Sequence, residues 1–398
     1  MPSGRQDSGN LKIETITIFK CERPFSRAFA SSKRKRTRAE AIVLRIDCER
    51  GLFGYGECTP RPYVTGERIE SVFAVIRTIM AEQLLGESFS SLPDIAMVLE
   101  GLSRTCETRY GRPVNSALCA VELALIDALG KQCNAPAQNL LGPALRERLP
   151  YALSIPLVSL PTLRNLLPLL DTVPFSSLKI VAGIDRNDTL NRLRFVRDEY
   201  GFGGDVTLEA NGAWTADEAL ATLDQAVPFG IAGVEQPTAK DDLKGMQRVK
   251  RETGIPLIAD ESMCSLAEAR RLIEERACDI INIKISKCGG LLQSMAIARY
   301  AHAAGIPCQI GAHVGETEIL SSAGRALART VPEILRYDGF SSLLFDHHGG
   351  HARNTDCNAP HSGRGMAGLG MDVQDKYLVK LWSSDGATRQ VRPAPAHF

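Results

Sequence analysis

Between Tyr151 and Asp338 short apolar runs recur, each closing on a polar residue and each followed by a helical stretch. The closing residues are Lys179, Glu209, Glu235, Asp260, Lys284, His313 and Asp338, spaced 30, 26, 25, 24, 29 and 25 residues apart. That interval is the length of one strand, one loop and one crossover helix. A βα unit repeated seven or eight times closes most naturally into a parallel barrel, because right-handed crossovers keep every helix on the outside. An open doubly wound sheet would normally carry a glycine-rich phosphate loop after its first strand, and Lys179-Ile180-Val181-Ala182-Gly183 is not one. The expected class is therefore α/β, a (β/α)7–8 TIM-like barrel over residues 146–345.

The flanks read differently. Ile13 to Phe19 and Ala41 to Ile46 are β-type apolar stretches that lead into a turn at Gly51, Gly54 and Gly56, which predicts an antiparallel meander. Helical patterns follow over Arg68–Leu85, Leu92–Leu102 and Asn115–Leu129, so residues 1–145 read as a separate α+β module. Residues 346–398 are loop-like apart from a strand-like run, Lys376–Leu381, suited to packing back on the N-terminal module; Arg392–Phe398 reads as frayed. Lys+Arg (47) balance Asp+Glu (46), which excludes a general electrostatic pull on nucleic acid or an anionic membrane. The polar start Met1–Asn10, the lack of an 18-residue apolar run, and eleven cysteines without C-x-x-C spacing fit a reduced, cytoplasmic protein.

In a parallel barrel the C-terminal ends of the strands share one face, where barrel active sites lie. Glu209, Glu235 and Asp260 end three consecutive β-type runs, and three carboxylates brought together repel unless a cation sits between them. An all-oxygen site suits Mg²⁺, with Mn²⁺ as an alternative. Lys284 closes the next run and should stand beside that ion. Two readings stay open for it: a proton acceptor whose pKa the cation lowers, or a counter-ion to one of the carboxylates. A cation, a lysine and a pocket suit abstraction of a proton next to a carboxylate, giving an enediolate.

These segments resemble the enolase superfamily, and within it the muconate-lactonizing and dipeptide-epimerase-like subgroup. Gly54-Tyr55-Gly56-Glu57-Cys58 with Thr65-Gly66-Glu67 is similar to its capping-domain loop, and Val121 to Asp127 to the helix leading into the barrel. Glu209-Ala210-Asn211-Gly212-Ala213-Trp214, Val234-Glu235-Gln236-Pro237 and Ala259-Asp260-Glu261-Ser262 resemble the three metal-ligand segments. Asn282 to Gly290 resembles the lysine-bearing segment, and Gly368 to Asp372 the strand that re-enters the cap. The resemblance implies a capping domain completed by the C-terminal segment, a small-molecule carboxylate substrate, a homo-oligomer, and an isomerase or lyase activity. It further implies that Lys179 polarises the substrate carboxylate and that Asn211, Glu261, Glu316, Asp338 and Arg336 lie against the substrate.

The sequence departs from the subgroup at three places. The Lys-x-Lys motif of the second barrel strand keeps Lys179 but has Val181 for its second lysine, so a two-lysine racemase or epimerase is in doubt and a one-base elimination is chemically easier. Glu209 stands where Asp is usual. Arg336-Tyr337-Asp338 replaces an Asp-x-Asp, and Arg336 beside the substrate would repel an ammonium group and favour an acidic or N-blocked substrate. His313 reads as a second acid/base or as a hydrogen-bonding neighbour. The His347, His348 and His351 cluster lacks zinc-site spacing and reads as a solvated loop, and the basic run Lys33–Arg38 reads as a solvated loop or an anionic-substrate contact. The readings left open are epimerase, dehydratase or cycloisomerase, against a binding or scaffolding descendant that has lost its chemistry.

Overall fold

The computed structural model describes residues 9–31, 35–170, 175–183, 185–339, 345, 366–371 and 373–386. The N-terminal module is built on β1 (Leu11–Cys21), a hairpin of β2 (Pro24–Ala30) and β3 (Lys35–Arg38), then β4 (Ala41–Cys48), β5 (Phe53–Cys58) and the short β6 (Ser88–Phe89). β1, β4 and β5 form the expected antiparallel meander. The described part of the basic run, Lys35–Arg38, is strand β3 and not a loop, and Arg36 in it pairs with Glu40.

Helix Leu92–Tyr110 packs on helix Asn115–Gln132, which covers the meander at β4 and β5. Every residue from Ser116 to Gly130 is buried, because this second helix lies between the sheet and the barrel. Its approach to β5 explains two glycines: a Cβ on Gly54 or Gly56 would sit 1.9 Å from the carbonyl oxygen of Ala124 or Ala120. Only a residue without a side chain lets strand and helix backbones come that close.

Eight parallel strands follow in chain order: β7 (Ala152–Ile155), β8 (Ser177–Val181), β9 (Asp205–Glu209), β10 (Gly233–Glu235), β11 (Leu257–Ala259), β12 (Ile280–Ile283), β13 (Cys308–Ile310) and β14 (Ile334–Tyr337). A parallel bridge between Tyr151 and Tyr337, with Tyr337 N–H donating to Pro150 O at 2.8 Å, brings the last strand to the first and closes the ring. The crossover helices start where short polar side chains cap free N–H groups: Asp185, Thr215, Asp242, Ser265 and Thr317 each accept from a first-turn amide. The tail returns as predicted, with β15 (Leu378–Ser383) antiparallel to β1.

Buried carboxylates join cap to barrel. Glu57, in β5, accepts from Thr317 N–H (2.9 Å), Thr317 O–H (2.7 Å) and Leu320 N–H (3.0 Å), capping a barrel helix from outside it. Glu122 does the same for Leu291 and Leu292 at the start of helix Leu291–Ala303. Asp127 accepts from Tyr55 N–H (2.9 Å) and Leu369 N–H (2.7 Å). No helix among the described residues is long and apolar enough to cross a membrane.

Candidate metal and proton-transfer site

Alternation along parallel strands places the site. Val181 pairs with Glu209, and Glu209 with Glu235, so these positions share one level of the barrel, while Lys179 lies one inward step below, opposite Thr207. Lys179 is thus not the last residue of its strand, as the spacing suggested; Val181 is. Asp260, Lys284 and Asp338 each follow the last residue of their strands by one position, and His313 follows β13 by three.

Carboxylate oxygens of Glu209, Glu235 and Asp260, all buried, lie within 4.8 Å of one another. Donors hold each of them. Asn211, in the left-handed region at φ 52°, donates to Glu209 Oε1 at 2.6 Å, steadying the longer side chain that stands where Asp was expected. Glu235 accepts from Asn282 Nδ2 (2.5 Å) and Gln309 Nε2 (2.9 Å). Gln236 Oε1 accepts from the Asp260 and Ser262 N–H groups and fixes the turn that presents Asp260. Three such carboxylates, oxygen-only and mutually close, are a donor set that fits a hard divalent cation.

Three lysines surround them. Lys179 Nζ lies 2.5 Å from Asp338 Oδ2, 3.3 Å from Glu235 Oε2 and 3.6 Å from Glu209 Oε2, beneath the carboxylates. Lys287, fully buried, donates to Asp260 Oδ1 (2.8 Å), Asp260 O (2.6 Å) and Asn282 O (2.9 Å), which uses all three of its hydrogens. Lys284 pairs with Asp260 Oδ2 alone among the described residues. Burial works to lower Lys284, but Asp260, Glu209 and Glu235 outweigh it and hold the ammonium above its ordinary range; the lowering expected beside a cation is opposed by these three charges. Burial likewise works against ionisation of Asp260, yet Lys284 and Lys287 bring it below the usual carboxylate range. Glu235 goes the other way: burial pushes it up to about 7 despite Lys179.

His313 is buried, with Nδ1 3.0 Å from Thr59 Oγ1 and Nε2 unpartnered among the described residues. Burial, then Arg61 and Lys284, hold the ring well below its usual pKa, so it is neutral. Glu316 accepts from His313 N–H at 2.6 Å, and burial pushes its carboxyl up to about 8. Glu261 is buried beside Asp260. Arg336 is buried and donates to Asp205, the first residue of β9, at 3.1 Å. It shares the inward face with Asp338 but lies two residues earlier, hence one layer deeper. His347, His348, His351, Asp372, Lys33, Arg34 and Arg392–Phe398 lie outside the described residues.

The sequence assigned no individual role to Lys287, Asn282, Gln309, Gln236 or Thr59. Period-2 counting back from Lys284 would have found Asn282, and from Gly311 would have found Gln309. Lys287 and Thr59 act through turns and the cap, and carry no periodic signal.

Residues 167–376 match the enolase C-terminal domain-like family, and residues 12–142 match the mandelate racemase / muconate lactonizing enzyme N-terminal domain. The chain belongs to the enolase superfamily. It is similar to the L-Ala-D/L-Glu epimerase of Bacillus subtilis, at 30% identity over 345 residues, covering 84% of this chain and 89% of that one. It is 28% identical over 315 residues to the N-succinyl-L-Arg/Lys racemase of Bacillus cereus, covering 79% and 83% of the two chains. That racemase's crystal structure superposes with a TM-score of 0.81 over 94% of this chain and 99% of its own, at 25% identity. Muconate lactonizing enzyme from Pseudomonas fluorescens, complexed with muconolactone, gives 0.77 at 25% identity, covering 85% and 90%. As a superfamily member the protein is an enzyme of the isomerase and lyase type.

Proposed function

We propose that this enzyme, with Mg²⁺ held by Glu209, Glu235 and Asp260, abstracts the α-proton of a small carboxylate substrate, and that Lys284 is its base. The observation that carries this reading is the division of labour at Asp260. Lys287 spends every hydrogen as a permanent counter-ion, so Lys284, on the same carboxylate through one bond, is surplus to neutralisation. The bound cation supplies positive charge that acidifies the carbon acid and offsets the charge developing on the substrate's carboxylate. Lys179, Lys284 and Lys287 face Glu209, Glu235, Asp260 and Asp338, leaving one net negative charge that a divalent cation reverses, which suits an anionic substrate.

The opposite face of the substrate lacks the second lysine. β8 lies four strands from β12 in a ring of eight, and the residue it offers at the level of Glu209 is Val181, which is buried and cannot move a proton. A one-base outcome follows, elimination or cycloisomerisation; likeness to a muconate lactonizing enzyme favours including the latter. His313 is the second group placed against the substrate, with Asn211 and Asp338 steadying Glu209 and Lys179. Arg336, paired with Asp205, takes no part in this reading and carries no preference for an acidic or N-blocked substrate.

The test is proton exchange in D₂O with Mg²⁺ and pooled amino acids, N-acyl amino acids, dipeptides and hydroxy acids, read by mass and NMR. Deuterium at an α-carbon, lost in Lys284→Ala, is the expected result. Full activity of Lys284→Ala on the substrate so found would overturn the assignment.

A further inference from the structure

Thr59 follows β5 in the cap and touches two barrel turns at once. Its N–H donates to Ser286 Oγ at 2.9 Å, two residues beyond Lys284, and its Oγ1 lies 3.0 Å from His313 Nδ1. Both side chains are buried, Thr59 at 0% exposure and His313 at 6%. The hydroxyl–imidazole contact can be made in two directions, and hydrogen accounting separates them. If the ring N–H donated, the Thr59 hydroxyl hydrogen would have no acceptor among the described residues, and Nε2 would be a second unpaired group. If the hydroxyl donates to Nδ1, the Thr59 hydroxyl is satisfied and the proton of the neutral ring sits on Nε2, the atom without a partner among the described residues. Each buried polar group left unmatched destabilises the arrangement that leaves it so, and the second arrangement wins by one group.

We propose that Thr59 is a positioning residue that holds His313 as the Nε2–H tautomer, making it a hydrogen-bond donor to an anionic oxygen of the substrate and denying it the role of second base. A neutral imidazole with Nδ1 already accepting and Nε2 already protonated has no lone pair to take a substrate proton. It can donate a hydrogen bond without charging, which helps where negative charge develops. The same threonine anchors the turn after Lys284, so the cap sets the relative placement of the donor and the base. The role against substrate rests on His313 facing the proposed proton-transfer centre; the tautomer does not.

The test is ¹⁵N NMR of the ring nitrogens in full-length protein labelled at histidine, with His313→Gln assigning the signal among the chain's seven histidines. The expected wild-type spectrum has an acceptor-type Nδ1 and a protonated Nε2 for His313. Thr59→Ser should keep it, and Thr59→Val, of the same shape, should show loss of the single tautomer in a folded protein whose thermal midpoint falls, because Nδ1 is left without a partner. A protonated Nδ1 in the wild type overturns the proposal without need of any variant, and so does a Thr59→Val spectrum identical to wild type. Absence of α-proton exchange in every pool, with the tautomer as expected, would instead remove the catalytic reading of the site and leave the Thr59 assignment standing.

Discussion

Lys287 Nζ donates to Asp260 Oδ1 at 2.8 Å and to the Asp260 carbonyl oxygen at 2.6 Å, so this carboxylate carries a buried counter-ion independent of Lys284. Removing one partner of a buried pair leaves an uncompensated charge, at a cost of about 3–5 kcal/mol. Lys287→Met should lose stability towards that scale in urea titration, because the buried Asp260 and Asn282 carbonyl oxygens lose their donor along with the carboxylate, and Lys284→Met much less, because it holds Asp260 through one bond and Lys287 stays. Equal losses would show that the two lysines share one duty.

Val181 lies across the ring from Lys284's strand. Val181→Lys should restore a proton-transferring group on that face, so a product formed with one configuration becomes a mixture in chiral chromatography. An unchanged stereochemical outcome in a folded variant would place Val181 away from the reacting carbon.

Binding of a cation to the native state alone raises stability by about 2.7 kcal/mol at a hundredfold excess over Kd. Mg²⁺ should therefore raise the melting midpoint, a chelator should reverse it, and Glu209→Ala or Glu235→Gln should abolish the shift. A shift that survives both variants would put the cation elsewhere.

Burial pushes Glu122 up to about 8, against its two backbone N–H donors, and Glu57 up to about 7, against three hydrogen bonds. Both folded values lie above the ordinary 4.5, so the native state holds more protons than the unfolded chain between pH 4.5 and 8. Stability is then greatest below that window and falls as pH rises through it. Urea midpoints at pH 5.5, 6.5 and 7.5 should decline, and Glu122→Gln should flatten part of the slope at a cost of about 1–3 kcal/mol in the hydrogen bonds it weakens. A midpoint that rises across this range would show that the two carboxylates stay ionised.

The barrel was legible because a repeated βα unit leaves its period in the chain: the polar residues closing each run mark the C-terminal face, and Glu209, Glu235 and Asp260 meet there. The meander and the returning tail strand were legible as short β-type runs. Which inward step a residue occupies was not, because alternation gives the side but not the depth. Lys179 proved to lie below the carboxylates, and Arg336 to pair with Asp205 at the start of β9.

The amino-acid sequence by itself determined the class of fold, the three carboxylates and Lys284 beside them, since periodicity and residue chemistry are local properties; the valine where a second lysine was expected stood out only against the family it resembles. Tertiary structure alone decided which lysine neutralises Asp260, which way His313 is held by Thr59, and how buried carboxylates from the cap close the ends of barrel helices. Those contacts join residues as much as 263 positions apart, as between Glu57 and Leu320, and such pairings come from how the packed layers meet, which leaves no period in the chain.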